Sequence, residues 1–119
     1  MSILAIVGSR YYDNYEEFVK IVKKWKTEFG DISEIVSGGA SGVDSLAARY
    51  AKENNIKLTE YLPDWTTYGK TACTMRNTQI INHAQRLLAL PGPKSRGTYD
   101  SINKALKKKM NIVNIQVDK

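Results

Sequence analysis

The chain has 119 residues, 42% of them apolar and 25% charged, which is enough for one domain around one modest core. Its net charge of +6 favours acidic partners, although Lys20, Lys23, Lys24 and Lys26 lie opposite the apolar stripe of the first helix, and Lys107, Lys108 and Lys109 sit where cations suit the end of the last one. The single cysteine, Cys73, excludes an internal disulfide, and one cysteine with one histidine makes a structural zinc site untenable. No apolar run is long enough to span a membrane, and the first residues lack a basic, small-residue leader, so the expected compartment is cytoplasmic.

Strands and helices alternate throughout. Ile3–Val7 is a continuous apolar run, the pattern of a buried parallel strand. Asp13 or Asn14 can cap a helix whose first turn holds Glu16 and Glu17. Its stripe is Phe18, Val22, Trp25 and Phe29, and Gly30 stops it. Ile35-Val36 marks a second strand, and Val43, Leu46, Ala47, Tyr50 and Ala51 line a second helix. Lys57 to Tyr61 alternates like an edge strand, and Pro63 to Gly69 reads as a loop. A helix is expected from about Thr71 to Ala84 with Ile80 and Ile81 inward, and then a strand over Leu87–Leu90. Thr98 opens a helix carrying Ile102, Ala105 and Leu106, and Ile112, Val113 and Ile115 form a fifth strand. Strands separated by helices imply a parallel sheet, whose ligands bind beyond the carboxyl ends of the strands.

Three glycine-containing loops fall at those carboxyl ends. They are Gly8-Ser9-Arg10, then Ser37-Gly38-Gly39-Ala40-Ser41-Gly42-Val43-Asp44, and Pro91-Gly92-Pro93-Lys94-Ser95-Arg96-Gly97-Thr98. Glycine lets a backbone approach a ligand closely, and bare amides at a helix start attract anions. Gly38, Gly39 and Gly42 do not fit the spacing G-x-G-x-x-G, and no G-x-x-x-x-G-K-[ST] occurs. A tight turn alone explains one or two glycines, but not three together with Ser37 and Ser41. Asp44 can cap the second helix or accept hydrogen bonds from a ribose. In the third loop, Arg96 has a fork suited to phosphate, and Thr98 can cap its helix or donate to phosphate.

Trp65 and Tyr68 are candidate stacking faces for a base, with Trp65 as core filler the competing reading. Lys70, Arg76 and Asn77 complete the polar candidates; the spacing alone does not say whether Arg76 and Asn77 face a pocket or water. His83 reads as a partner of its helix dipole and Cys73 as a small buried apolar residue. No serine or cysteine nucleophile set is convincing.

Taken in order, these pieces resemble the SLOG superfamily of Rossmann-like nucleotide-binding proteins, most closely its YspA/YpsA-related branch. The pieces are Gly8-Ser9-Arg10, Ser37 to Asp44, Pro63-Asp64-Trp65, Tyr68-Gly69-Lys70, Arg76-Asn77, and Ser95-Arg96-Gly97-Thr98. The resemblance implies an α/β Rossmann-like three-layer sandwich with a mainly parallel five-stranded sheet, formed by residues 1–119 as a single domain. It implies a site for a nucleotide or nucleotide-derived ligand related to NAD or ADP-ribose, with no cofactor required and no metal. It also implies a homodimer or larger homo-oligomer, for which the face of the Thr71–Ala84 helix with Met75 and Ile80 is the candidate contact.

Two relatives supply alternatives. The LOG phosphoribohydrolases carry P-G-G-x-G-T-x-x-E, which Pro91-Gly92 and Gly97-Thr98 match in part. The position of that motif's glutamate is Ser101, with Asp100 about 100° away around the helix. Hydrolysis of an N-glycosidic bond needs a carboxylate, so Asp44, Asp64 or Asp100, with Arg76, are the only catalytic candidates. The DprA group binds single-stranded DNA, but the chain lacks a clustered platform of aromatic and basic residues. The leading expectation is a module that senses or sequesters a phosphorylated ligand, with phosphate on the amides of Gly38–Gly42 and Gly97-Thr98.

Overall fold

The computed structural model describes residues 1–119. Five strands form one sheet: β1 (Ser2–Gly8), β2 (Ile32–Ser37), β3 (Lys57–Glu60), β4 (Arg86–Leu90) and β5 (Asn111–Asn114). Their order is β3-β2-β1-β4-β5 and every neighbouring pair is parallel. The helices are α1 (Tyr15–Phe29), α2 (Val43–Glu53), the short α3 (Trp65–Tyr68), α4 (Ala72–His83) and α5 (Arg96–Lys107).

The period-2 alternation of each strand sends its side chains to two separate cores. Leu4, Ile6, Ile35, Leu88 and Leu90 meet Phe18, Val22 and Trp25 of α1 and Val43, Ala47 and Tyr50 of α2. Ala5, Val7, Val36, Leu87 and Ala89 meet Ile80 and Ile81 of α4 and Ile102 and Ala105 of α5. These two clusters make the chain a three-layer α/β sandwich, as the sequence predicts, with a sheet that is wholly rather than mainly parallel.

Several local expectations change. Asn14, not Asp13, caps α1, its side chain accepting from the Glu17 amide. β2 is longer than Ile35-Val36 because Ile32 and Glu34 are also buried along it. The Pro63–Gly69 loop contains α3, started by Asp64, whose carboxylate accepts from the Thr67 amide, and continued by a 3-10 turn over Gly69–Thr71. Leu106 lies on the exposed side of α5, and Cys73 is half-buried rather than enclosed. His83 is not a dipole partner standing alone: its Nε2 is 3.1 Å from Glu34 and its Nδ1 is 2.8 Å from the Tyr61 hydroxyl.

Glu34 is buried at the β2–β3–α4 junction, where it accepts from Thr59 Oγ1 at 2.5 Å and faces His83 and Lys57. The Thr59 hydrogen bond, with His83 and Lys57 behind it, holds this carboxyl below its ordinary value of 4.5 against the opposing effect of burial. A carboxyl held low when folded adds stability that is complete above its unfolded pKa and is lost as pH falls through the lower folded one. Glu34→Gln should therefore cost about 1–3 kcal/mol at neutral pH. Thermal midpoints of the two proteins should converge below about pH 4. A gap that stays constant down to pH 3 would mean that charge on Glu34 contributes nothing.

Candidate functional site

The strand order reverses between β1 and β4, and a cleft of about 630 Å³ opens there beyond their carboxyl ends. Its floor includes Val7 and Ile80; Gly8, Ser9, Arg10 and Tyr11 come from the end of β1, Ala40 and Asp44 from the loop into α2, and Arg76 and Asn77 from α4. The Pro93–Thr98 stretch, Ser101 and Lys119 close the other side. Five basic side chains (Arg10, Arg76, Lys94, Arg96 and Lys119) and one carboxylate, that of Asp44, line it.

The glycines around it answer to different constraints. A Cβ on Gly8 would come within 2.6 Å of Leu90 O and Val43 Cγ2, so glycine there lets α2 begin directly against β1 and β4. Gly42 has φ +74°, and a side chain on it would strike the backbone of Ser9 and Arg10. That contact is the docking of the first loop on the second: Val43 N donates to Ser9 O at 2.9 Å, and Ser41 Oγ donates to Arg10 O at 3.2 Å.

Asp44 does not cap α2. Gly42 holds that position, and Asp44 lies in the first turn with its carboxylate folded back over the loop. Its Oδ2 accepts from the Ala40 amide at 3.1 Å. Burial pushes its pKa up from the ordinary 3.8, and the Ala40 amide, the Ser37 hydroxyl and the Arg76 charge only partly oppose that. The glycine loop expected to receive phosphate thus already has one of its amides taken by an internal carboxyl group.

The third loop has the opposite character. Ser95 precedes α5 but does not cap it; its hydroxyl accepts from the Gly92 amide at 2.8 Å. The first amide of the α5 region with an acceptor in the helical ladder is that of Tyr99, which donates to Ser95 O. The amides of Arg96, Gly97 and Thr98 therefore have no protein acceptor, and they stand beside Lys94 and Arg96. Thr98 sits inside the first turn and is buried, so its expected capping role falls to no side chain.

Arg76 and Asn77 connect the two loops. Arg76 Nη1 donates to Gly38 O at 2.8 Å and lies 3.5 Å from Tyr61 O, while its Nε donates to Asn77 Oδ1 at 2.9 Å. Asn77 Nδ2 donates in turn to Gly97 O at 3.3 Å and to Asp100 Oδ2 at 3.1 Å. A Cβ on Gly38 would meet the Arg76 guanidinium, so a side chain there would shift Arg76 from its hydrogen bond to Gly38 O.

Of the residues singled out from the sequence, the cleft gathers Gly8, Ser9, Arg10, Ala40, Asp44, Arg76, Asn77, Ser95, Arg96, Gly97 and Thr98. Gly38, Gly39, Ser41 and Gly42 shape its wall without lining it, and Trp65, Tyr68 and Lys70 stand on the exposed α3 region outside it. Trp65 is 59% exposed, which removes the core-filler reading. Asp64 is spent on the α3 cap, and Asp100 is paired with Lys104 Nζ at 2.6 Å. Ser101, at the position of the LOG glutamate, lines the cleft and is buried, with its hydroxyl donating to Gly97 O. Arg76 lines the cleft of its own chain, and Ile80 is buried beneath it, leaving Met75 as the exposed member of the expected contact face. Tyr11 and Lys119 line the cleft without having been singled out; Tyr11 adjoins the Gly8-Ser9-Arg10 motif, whereas nothing local marks Lys119.

A family model described as YAcAr, the YspA, cpYpsA-related SLOG family, matches residues 2–68. The chain belongs to this family. The matched span runs from β1 through α3, and so includes the first two loops and Asp44 but not the third loop. No curated protein and no solved structure matches the chain. No helix of this SLOG protein is long and apolar enough to cross a membrane.

An ionised carboxylate whose pKa is raised by burial costs stability at neutral pH, and the cost fades as pH falls through the raised folded value. Asp44→Asn keeps the acceptor for the Ala40 amide and removes the charge. It should raise the thermal midpoint at pH 7 by a few degrees, an effect of about 1 kcal/mol in a domain of this size. The gain should shrink toward pH 4 or so. If the Asp44→Asn variant is instead less stable than wild type at neutral pH, Arg76 fully compensates the buried charge.

Proposed function

We propose that this SLOG protein binds a phosphorylated nucleotide or nucleotide-derived ligand, of the NAD or ADP-ribose kind, as a sensing or sequestering module. The observation that carries the reading is the unequal chemistry of the two loops. Three acceptor-free amides at the start of α5 adjoin Lys94 and Arg96, whereas the Gly38–Asp44 loop holds its own carboxylate. An anion is attracted to the first, whereas in the second the Ala40 amide is already taken by a carboxyl oxygen. Phosphate is therefore assigned to Arg96, Gly97 and Thr98, with Arg10 and Lys94 in support. The polyol part of the ligand is assigned to Asp44, an acceptor for paired hydroxyls. Tyr11, exposed at the mouth, replaces Trp65 and Tyr68 as the aromatic face within the cleft. The volume is within the ordinary range for a small-ligand site.

Arg96→Ala should weaken binding of AMP about ten- to a hundredfold and leave adenosine nearly unchanged, since a charge-assisted hydrogen bond contributes roughly 1.5–3 kcal/mol. Calorimetry with both ligands reads this directly. An equal loss for AMP and adenosine would make Arg96 a structural residue and remove the phosphate site from α5.

Hydrolysis of an N-glycosidic bond is the second reading, and one observation favours it: Asp44 is a carboxylate inside the cleft. Against it, the LOG glutamate position is Ser101, and Asp64 and Asp100 are engaged elsewhere. Incubation with AMP, NAD and ADP-ribose should release no free base. Release that is lost in Asp44→Asn would establish the enzyme and overturn the binding-module reading.

A further inference from the structure

Residues 115–119, beyond β5, stay on the protein. The Ile115 amide donates to Ala89 O and the Val117 amide to Pro91 O, both at 2.9 Å, so the chain keeps a strand-like path beside the end of β4 and its loop. Ile115 and Val117 pack on the first core, and Gln116 Nε2 donates to the Tyr99 hydroxyl of α5 at 3.0 Å. The segment carries Lys119 to the cleft, one wall of which it forms. It lies outside the span matched by the family model.

Gly92 marks where this segment seats. Its φ is not in the positive region that holds Gly39 and Gly42, so backbone conformation alone does not call for glycine there. Contact does: a Cβ on Gly92 would strike the Lys119 carbonyl and come within 2.9 Å of Ser9 Oγ. The segment therefore crosses where the β1 and β4 loops meet, at the reversal of strand order. A tail serving only the core would finish its work at Val117, the last side chain packed there. Asp118 and Lys119 are exposed, and their close seat serves the cleft instead.

We infer that residues 115–119 are a strap that completes the cleft, and that its docking on Gly92 and the binding of an anionic ligand stabilise each other through Lys119. Docked, the strap adds a cation to Arg10, Lys94 and Arg96 from a segment that belongs to none of the three glycine loops. Undocked, that side of the cleft is open and one charge poorer. Such coupling is reciprocal: the ligand holds the strap down by the factor by which the strap tightens the ligand. The inference rests on the phosphate assignment made above and adds a coupled wall to it.

Amide exchange at Val117 and calorimetry with AMP test the coupling in wild type, Lys119→Ala, Gly92→Ala and a chain ending at Val117. Saturating AMP should slow Val117 exchange in wild type, whereas adenosine should not. Lys119→Ala should weaken AMP about fivefold, the scale of one exposed ion pair, and the effect should fade at high salt. Gly92→Ala should speed Val117 exchange and weaken AMP by about as much. In the shortened chain the same substitution should change AMP affinity no further, because the residues it displaces are gone. If AMP binds without slowing Val117 exchange, or binds Lys119→Ala and the shortened chain as tightly as wild type, the strap only extends β5 and the coupling is wrong while the phosphate site stands. A further loss from Gly92→Ala in the shortened chain would mean that Gly92 acts through Ser9, which overturns the docking seat. If AMP binds none of the four proteins, the phosphate assignment fails and the coupling fails with it.

Discussion

Strand β1 lies at the centre of the sheet, and the chain leaves it toward β2 on one side while β4 returns on the other. That reversal of order forces α1 and α2 onto one face and α4 and α5 onto the opposite face. The loops at the carboxyl ends of β1, β2 and β4 then diverge, and a cleft must remain between them. Left alone, such loops would be held only by their own turns. Here Arg76 and Asn77 span the gap: Gly38 O, the guanidinium, the amide and Gly97 O form one connected set of hydrogen bonds. Both Asn77 side-chain atoms are satisfied while the residue is buried, so the bridge is a fully paired polar network that joins the two loops.

The two loops look alike in sequence and differ in charge. The distinction comes from where two short side chains turn. Asp44 folds back onto the Ala40 amide, and Ser95 turns away from α5 onto the Gly92 amide. The first movement places a carboxyl oxygen on the loop's Ala40 amide. The second leaves the first α5 amides without the cap that a serine before a helix ordinarily supplies. Helix macrodipoles alone make both helix starts equivalent, so these two hydrogen bonds, rather than the glycines, are what make the two loops differ.

Much of this was legible in the sequence. The continuous apolar strands, the Asn14 region as a helix start and the inward pair Ile80 and Ile81 follow from period and capping chemistry, which are local. The loops at the strand ends follow from alternation of strand and helix, and eleven of the singled-out residues line the cleft. What was not legible depends on contacts between distant segments. The Glu34–His83–Tyr61 cluster joins three elements, and nothing near any of them marks the pairing. α3 is only four residues long, too short for a period to declare itself, and only the Asp64 cap betrays it. Trp65 and Tyr68 were read by residue type, but their position past β3 at the sheet edge carries them outside the cleft, whereas Tyr11 is brought to it by β1.

The cleft concentrates the unfavourable terms of the fold. A carboxylate is buried where burial opposes its charge, three amides lack acceptors, and Arg10, Lys94, Arg96 and Lys119 share one rim. Away from the cleft, the two cores are built largely of apolar side chains and the buried Glu34 is paired with Thr59 and His83, while the Trp25 indole N–H is a buried donor without a partner. Under the proposed assignment, one ligand relieves all three terms at once, because phosphate accepts from the amides and neutralises the rim while sugar hydroxyls donate to Asp44. On that assignment, part of the binding energy would come from groups that the fold leaves without protein partners. Saturating ligand would then stabilise the fold by mass action through both loops that Arg76 and Asn77 join.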